Sequence, residues 1–422
     1  MGFQKEFFIN NRNRLSSIIE PNSMVLFFSA ETFPRTGDQT FKYRQNSDTF
    51  YFSGLTQPET CFFIQTDNSK HIVYEHAFII EPTDYIIIWT GSKYSKSDVS
   101  EISGIERVSF LNEFDSVLEE RIKCSENIYF SFKNNVRGIK YSYSKVNQYI
   151  EKIKSLYPEK IILDADPQFM ELRLCKTDEE LNKIKKAIEI TGNCFNEIRK
   201  FLKPGIYEYE IEALIYKEFI SNGANDVAYL PIVASGKNNC ILHYIDNRNI
   251  CNKGDLLLLD FGAEYDYYAA DLTRTIPVSG KLSQRQADIY ASVLKVQRMM
   301  IPMMKPGITI NELNSKCEEL IQEELLNLGL LSVNDIKNQT QNAPAFKKYF
   351  MHGLSHFLGL DVHDVGNKDV VLKPGMVLTC EPAIYIREEE FGIRLENDIL
   401  ITDDEPVDLC KNIPIEIADI EK

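Results

Sequence analysis

Short apolar runs separated by charged segments fill the first 165 residues and predict a domain built on a β-sheet. The runs are MVLFFSA, FYFSG, CFFIQT, HAFII, YIIIWTG, NIYFSF and KIILDA, with helical stretches between them. Strands that alternate with helices favour an α/β domain on a mixed sheet. The only tryptophan, Trp89, lies in one of these runs and is expected to pack in the core.

Longer helical stretches begin after residue 175. Thr177 and Glu180 form a capping-box pattern, an apolar stripe follows, and Pro204–Gly205 ends this predicted helix. Further helices are expected near 208–222, at about 284–303 and at 310–328. SGKNN (235–239) is expected to be a turn before a strand in CILHY. The pattern predicts helices that cover an antiparallel sheet.

Two predicted hairpins each carry a pair of acidic residues. LLLLDFG and YDYYAADLTRTIPV place Asp260 and Asp271 on neighbouring strands that turn near Glu264 to Asp266, and MVLTCEPAIYI and FGIRLENDILIT do the same for Glu381 and Glu396. A carboxylate in an apolar strand must be paired or bound to a cation, since an isolated buried charge is too costly to desolvate. With His356, these groups suit a pair of divalent ions such as manganese, cobalt or zinc.

Each candidate has an ordinary structural explanation when it is considered alone. A single aspartate at a strand end is usually a cap or turn residue, and a single histidine in an apolar segment is usually a hydrogen-bonded core group. However, the chain has only six histidines, and three of them, His352, His356 and His363, lie within twelve residues. Because histidine is the usual side chain for metal binding and proton transfer near neutral pH, this concentration favours catalysis.

Several separated motifs resemble one enzyme family. DFGAEYDYYAADLTRTIPVSG, HGLSHFLGLDVHDVG, EPAIYI and GIRLEND are similar, in order and spacing, to the dinuclear metallopeptidases with the pita-bread (creatinase/aminopeptidase-like) fold. That group includes methionine aminopeptidase, prolidase and Xaa-Pro aminopeptidase (aminopeptidase P), whereas creatinase lacks this ligand set. The resemblance covers roughly residues 172–410. It implies an α+β protein with a pita-bread catalytic domain at 171–422, preceded by an α/β domain with a mixed sheet at 1–170.

The resemblance also implies a role for each site residue. Asp260 would bind one divalent ion, His356 and Glu381 the other, and Asp271 and Glu396 both. Manganese is the expected metal, with cobalt or zinc as alternatives, and a hydroxide between the ions would attack the peptide carbonyl. Glu381 would also carry the proton to the leaving nitrogen. The remaining predicted catalytic residues, which would position the substrate or orient the carboxylates, are His243, His352, His363 and Arg394.

Three functions compete at this stage. TFKYRQNSDTFYFSGLTQPET (40–60) is similar to the N-terminal domain of Xaa-Pro aminopeptidases, which favours removal of a first residue that precedes proline. Prolidase, which cleaves Xaa-Pro dipeptides, is the first alternative; Ser355 and the Ser47–Asp48 pair argue against it. A non-catalytic peptide-binding or scaffold protein with the same fold is the second.

Composition excludes some other classes. The formal charge of −15 argues against nucleic-acid binding, which needs a basic surface. The 422 residues contain no apolar run long enough to cross a bilayer, and no secretion signal begins the chain. Nine scattered cysteines, an odd number, favour a cytoplasmic location with reduced thiols. The family resemblance implies a homodimer or homotetramer.

Overall fold

The chain forms two compact units, Met1–Leu172 and Arg173–Lys422, in a computed structural model. The structure describes residues 2–132, 135–136, 139–140, 145–340 and 342–421. No helix within these ranges has the length and apolar character that a membrane span requires.

The first unit combines short helices with one larger sheet. Its helices are α1 (Lys5–Ile18), α2 (Ser47–Ser53), α3 (Asp84–Thr90), α4 (Lys96–Ser103), α5 (Phe114–Arg121), α6 (Lys145–Leu156) and most of α7 (Asp166–Leu174), whose last two residues belong to the second unit. Its strands are β1 (Ser23–Phe28), β2 (Pro34–Thr36), β3 (Gln39–Thr40), β4 (Thr60–Thr66), β5 (Ile72–Ile79), β6 (Val108–Phe110), β7 (Asn127–Phe130), β8 (Asn135–Val136), β9 (Ile139–Lys140) and β10 (Ile161–Asp164).

The sheet of the first unit is mixed, as the sequence predicts. Its strand order is β10-β7-β1-β4-β5-β6. β1 runs parallel to β7 and antiparallel to β4, and β5 pairs with β6 in parallel. Every residue of β1 and β4 is buried, so both faces of these strands are covered, which explains why their sequences are apolar throughout. Phe27 and Phe62 stack with their ring centroids 4.3 Å apart.

Two apolar runs predicted as strands form helices instead. FYFSG lies in α2, where the Asn46 side chain accepts from the backbone N–H groups of the first turn and Gly54 ends the helix at φ 69°. YIIIWTG lies in α3, which is capped by Thr83 and has no buried residue. Trp89 on α3 is 72% exposed, so the expected core position is wrong. A short apolar run fits either a strand or a helix, and here the local caps favour the helix.

The second unit contains the longer helices and the hairpins. Its helices are α8 (Asp178–Phe201), α9 (Glu208–Ser221), α10 (Gln284–Met300), α11 (Ile310–Asn327), α12 (Val333–Asn338) and α13 (Ile417–Ile420). Its strands are β11 (Asp226–Val227), β12 (Ile232–Ser235), β13 (Leu256–Asp260), β14 (Ala263–Tyr265), β15 (Tyr268–Ala269), β16 (Thr273–Pro277), β17 (Val377–Cys380), β18 (Ala383–Ile386), β19 (Phe391–Arg394), β20 (Asn397–Leu400) and β21 (Val407–Asp408).

The helix predictions for this unit are confirmed, but one strand prediction is wrong. The Thr177–Glu180 capping box begins α8, and α9, α10 and α11 lie where they are expected. SGKNN does contribute to a turn, the 3₁₀ segment Gly236–Cys240, but no strand follows in CILHY. Beside β12, the Asn247 side chain accepts from the Val233 N–H and donates to the Pro231 carbonyl.

Both acidic hairpins form. In the first, β13 pairs with β16 so that Asp260 lies opposite Thr273, and the tip turns at Asp266 and Tyr267, both with positive φ. Gly262 is required by close packing, because a Cβ there would lie 1.8 Å from the Ala270 carbonyl oxygen. In the second, Cys380 pairs with Asn397 and Ala383 with Arg394, which leaves Glu381 and Glu396 side by side in the break between two ladders.

Candidate metal centre

The two hairpins bring the predicted ligands to one place. Donor atoms of Asp271, His356 and Glu396 all lie within 4.8 Å of one another. His356 Nε2 is 3.4 Å from Asp271 Oδ2 and 3.7 Å from Glu381 Oε1. Asp260 joins the cluster through the Tyr229 hydroxyl, which bonds the carboxylates of both Asp260 and Asp271. All five predicted ligands therefore belong to one connected group.

Backbone hydrogen bonds hold in place the segments that contain these ligand residues. The Glu396 N–H donates to the Thr273 carbonyl at 3.1 Å, which joins the second hairpin to the first. His356 lies beside β17, where the Thr379 N–H donates to the His356 carbonyl at 3.0 Å. The Thr379 hydroxyl in turn accepts from the His356 N–H at 3.2 Å. Each ligand therefore stands on hydrogen-bonded backbone, which holds a site more precisely than a free loop.

Like charges repel one another inside this cluster. Burial, followed by the charge of Asp271, raises the pKa of Glu396 well above its usual range. Burial also raises the pKa of Glu381, and it reaches about 7 although the charges of His356 and Arg394 lower it. Arg394 is the cation that contacts Asp260 directly. Buried carboxylates that raise one another's pKa create a site of negative potential, which fits bound cations.

The imidazole of His356 responds to this negative potential. Burial opposes its protonation, but the hydrogen bond to Asp271 and the charge of Glu381 outweigh that effect and raise the pKa of His356 to about 9. The negative potential thus favours a proton on this ring, and a divalent cation would supply still more positive charge at the same place. Carboxylate oxygens with one imidazole nitrogen are a donor set that suits manganese, cobalt or zinc.

Arg394 links the carboxylates to a second layer of polar groups. Its Nη2 donates to Asp260, its Nε donates to the Thr273 hydroxyl at 3.1 Å and its Nη1 to the Tyr385 hydroxyl at 2.7 Å. The Thr273 hydroxyl donates to Glu396 at 2.5 Å. Such outer contacts orient the groups that bind a metal.

His352 lies at the end of the same hydrogen-bond chain. Its Nδ1 bonds the Gly353 carbonyl at 2.7 Å and its Nε2 bonds the Tyr385 hydroxyl at 2.9 Å. Because a carbonyl only accepts, Nδ1 carries the hydrogen and Nε2 accepts from the tyrosine. Burial, followed by the charge of Arg394, lowers the pKa of His352 to about 3, so the ring is neutral at physiological pH.

The other two predicted histidines are exposed residues at the cluster. The charge of His243 is the smallest of the causes that lower the pKa of His352. The His363 ring lies 4.2 Å from the His356 ring, measured between centroids, at an interplanar angle of 71°. The structure therefore places His363 beside His356.

Several polar neighbours of the cluster are absent from the sequence predictions. They are Tyr229, Thr273, Thr379, Tyr385 and Asp398. Hairpin register gives a signal for Thr273, which faces Asp260 across the ladder. Tyr229 gives no such signal, because it lies 31 residues before Asp260 and reaches the carboxylates only through the folded chain.

Comparison with known proteins agrees with this geometry. Residues 182–403 match metallopeptidase family M24, and residues 8–129 match the aminopeptidase P N-terminal domain. The Xaa-Pro aminopeptidase of Escherichia coli (strain K12) is 34% identical, with 94% of this chain and 93% of that protein covered. The Xaa-Pro aminopeptidase of Haemophilus influenzae is 35% identical, covering 99% and 96%.

Solved structures give the same result. Aminopeptidase P from E. coli with the inhibitor Pro-Leu superposes with a TM-score of 0.91 at 32% identity, covering 100% of this chain and 98% of that one. A zinc-substituted form of the E. coli enzyme, in complex with product, gives a TM-score of 0.90 at 33% identity, with the same coverage of both chains. The expected α+β architecture, with a pita-bread domain after the N-terminal α/β domain, is confirmed. With a matching family domain, full-length relatives and a carboxylate–imidazole cluster on two hairpins, the chain belongs to metallopeptidase family M24.

Proposed function

We propose that the protein is a metal-dependent Xaa-Pro aminopeptidase, which hydrolyses the bond between an N-terminal residue and a following proline. The observation that carries the proposal is the convergence of Asp271, His356 and Glu396 within 4.8 Å, with Asp260 and Glu381 joined to them. Full-length relatives with this activity in their names support the same assignment.

Two divalent ions fit the donor set, and we propose manganese as the metal. Asp260 would hold one ion and His356 with Glu381 the other, while Asp271 and Glu396 would contact both. The surplus of buried carboxylates over the cation Arg394 supports this loading, as do the raised pKa values of Glu381 and Glu396. When bound, such ions polarise a carbonyl and lower the pKa of water towards neutrality.

Glu381 is the group that moves the proton. A carboxylate oxygen of Glu381 can accept a proton at the reacting site and release it to the leaving group, which is the role of a general acid–base residue. The proton would pass from a carboxylate oxygen of Glu381 to the proline nitrogen as the peptide bond breaks. Glu381 is largely buried, which limits exchange of this proton with bulk solvent.

The histidines and Arg394 would orient the substrate and the ligands. His363 and His243 are exposed imidazoles at the cluster and would donate hydrogen bonds to the substrate and to the developing negative charge. Neutral His352, fixed by Tyr385, would line the side that receives proline. Arg394 holds Asp260 in place and receives no role in proton transfer, because a guanidinium does not deprotonate in proteins.

Proline explains why a dedicated site is needed. Its nitrogen carries no N–H group and its ring fixes φ near −65°, so peptidases that bind an extended chain through amide hydrogen bonds cleave poorly there. A site that binds a free amino terminus and accommodates the tertiary amide would hydrolyse only the first bond of a peptide.

Peptide assays with the purified, manganese-loaded protein test this function. We expect cleavage of a tripeptide such as Arg-Pro-Pro after its first residue. Cleavage of a dipeptide such as Ala-Pro, with Arg-Pro-Pro left intact, would instead identify a prolidase. The match to the aminopeptidase P N-terminal domain favours the first outcome. Failure to bind any divalent ion or to cleave any proline peptide would identify a non-catalytic protein with this fold.

Elemental analysis and light scattering test the remaining proposals. We expect two metal ions per chain, with manganese as the metal that restores the highest activity. A homodimer or homotetramer is expected from the family, and multi-angle light scattering of the full chain would measure it. The proposed location is the cytoplasm, which fractionation of the source cells would test.

A further inference from the structure

A buried ion cluster lies in the second unit, in addition to the metal-binding group. Asp364 has 1% of its side chain exposed and bonds two cations, with Arg173 Nη2 at 2.5 Å from Oδ1 and Lys176 Nζ at 3.1 Å from Oδ2. Both cations are equally buried, and Arg173 also contacts Asp361 at 2.9 Å. Burial raises the pKa of Asp364, but the charges of Arg173 and Lys176 outweigh it and lower the pKa, so Asp364 is ionised at neutral pH.

Stability alone explains this cluster poorly. Desolvation of buried ions offsets most of their attraction, and apolar residues of similar volume often stabilise a fold equally well. A buried ion pair does, however, fix geometry, because each charge must keep its partner at hydrogen-bond distance. The cluster therefore serves to hold a segment of the chain in place.

That segment is residues 357–366, which we call the histidine loop. Its first residues are bridged to β17, through Phe357 with Leu378 and the Leu358 N–H with the Val377 carbonyl, but it contains no helix or strand, so the rest of its backbone needs other supports. The Asp364 N–H donates to the Phe357 carbonyl at 2.9 Å, and the Gly359 carbonyl accepts from the Ala269 N–H at 2.8 Å. A Cβ on Gly359 would lie 2.2 Å from Asp364 Oδ2 and 2.9 Å from Lys176 Cε. The loop is thus closed tightly around the Asp364 carboxylate.

His356, which precedes the histidine loop, and His363, which lies within it, are held differently. His356 is fixed by β17, through backbone and hydroxyl bonds with Thr379. His363 is exposed and lies next to Asp364 in the chain, well away from β17 in sequence. The neighbour of His363 in the chain, Asp364, is held by the ion cluster, which connects residue 364 to residue 173 across 191 positions.

We propose that Asp364, held by Arg173 and Lys176, is a positioning residue that sets the place of His363 beside His356. It acts on the substrate only through His363, and the inference rests on the proposed function, in which His363 contacts the substrate. Loss of the cluster would move His363 while His356 remains on β17 with the other metal-binding groups.

A double-mutant cycle on the manganese-loaded full chain tests this inference. Asp364→Asn is expected to lower kcat for Arg-Pro-Pro by about tenfold, since residues coupled through a shared contact show interaction energies of this size. In a His363→Ala background the same change should lower kcat by less than about twofold. Equal losses in both backgrounds, or no loss in the wild-type background, would overturn the proposal.

Two measurements other than activity complete the test. The affinity for Mn²⁺, measured by titration calorimetry, should change by less than about threefold in Asp364→Asn, because a support of His363 is not a support of the ligands. Hydrogen exchange should rise in residues 357–366 but not in 377–380. A large loss of metal affinity, or equal exchange in both segments, would mean that the cluster supports the whole site and not His363.

Further variants keep the test decisive. If Asp364→Asn does not fold, Lys176→Met leaves the Arg173 bond in place and should give about a threefold loss that disappears in the His363→Ala background. Glu324→Gln is the matched control, because it removes the ion pair with Lys295 in the same unit and should leave kcat unchanged. Wild-type protein that cleaves no proline peptide would contradict the proposed function, and this is known before any variant is compared.

Discussion

Arg12 in the first unit and the metal-binding carboxylates in the second unit are buried charges that are arranged in opposite ways. In the first unit, Arg12 is fully buried and every contact satisfies it: Glu75 at 2.6 Å, and the carbonyls of Phe52 and Ser103 at 2.8 and 2.9 Å. The guanidinium is thus completely partnered within the fold. Such a group joins segments of the chain that are far apart in sequence.

At the metal centre of the second unit, buried carboxylates face other carboxylates. Tyr229 bonds both Asp260 and Asp271, and the pKa of Glu396 is raised by burial and by the charges of its neighbours. A fold gains nothing from this repulsion unless a cation enters. The comparison indicates that a buried charge with its partners serves structure, whereas a group of buried like charges marks a ligand site.

The largest expected effect follows from removal of one of these carboxylates. Glu381→Ala should lose one metal ion and lower kcat by at least about 10³-fold, because the residue both binds metal and moves the proton. The free energy of unfolding of the metal-free protein should not fall, because the substitution removes a carboxylate that its buried neighbours repel. Elemental analysis, peptide assay and thermal unfolding in chelator would measure these three quantities.

Glu388→Ala is the matched control for that experiment. Glu388 lies in the turn of the same hairpin and pairs with Lys348 at the surface, with half of its side chain exposed. Its loss should leave metal content and kcat within about twofold, as expected for an exposed ion pair. Retained turnover in Glu381→Ala would remove that residue from the mechanism.

The second-largest effect is expected at Arg12, the buried and fully partnered charge of the first unit. Arg12→Met should destabilise the first unit by about 3 kcal/mol, because Glu75 and two carbonyls lose their partner in the interior. Metal affinity and kcat per folded molecule should not change. Urea unfolding would give the stability change, and Lys154→Met, at an exposed pair with Glu151, serves as the control. An unchanged unfolding midpoint would mean that Arg12 is not a structural support.

Elements that are specified by a local sequence signal can be predicted from the sequence. The Thr177–Glu180 capping box spans four residues and is readable without the fold. The acidic hairpins were readable because turn residues separate two strands that must pair. The convergence of these hairpins was expected from the family resemblance and the donor chemistry, and their hydrogen-bonded connection through Thr273 and Glu396 is visible only in the structure.

Contacts between residues that are distant in the chain cannot be predicted in this way. The same holds for short apolar runs whose pattern fits both a strand and a helix. Tyr229 and Tyr385 contact the carboxylates and Arg394 only after folding, so neither spacing nor periodicity reveals them. The runs FYFSG and YIIIWTG fit strand and helix equally well by composition. The caps at Asn46 and Thr83 could have been used to distinguish the two.

Tyr229→Phe should have a smaller effect on the metal site. The phenol orients Asp260 and Asp271 without binding metal itself, and loss of such an outer contact typically weakens metal binding 10–100-fold. We expect about a tenfold weaker affinity for Mn²⁺ by titration calorimetry. Tyr216→Phe, on α9 of the same unit, is the control and should bind normally. An unchanged affinity in Tyr229→Phe would mean that the two aspartates are held by other contacts.

The smallest effect is expected at the exposed apolar surface of the first unit. Trp89→Ala should change the free energy of unfolding by less than about 0.5 kcal/mol, because α3 buries none of its side chains. By contrast, Phe62→Ala, at a ring stacked on Phe27 in the sheet, should cost about 3–5 kcal/mol. Urea unfolding followed by circular dichroism measures both, since the first variant removes the only tryptophan. A decrease of several kcal/mol in the free energy of unfolding of Trp89→Ala would contradict the exposed position and support the core position that its apolar neighbours predict. It would mean that the hydrophobic sequence, and not local capping, determines where this segment lies.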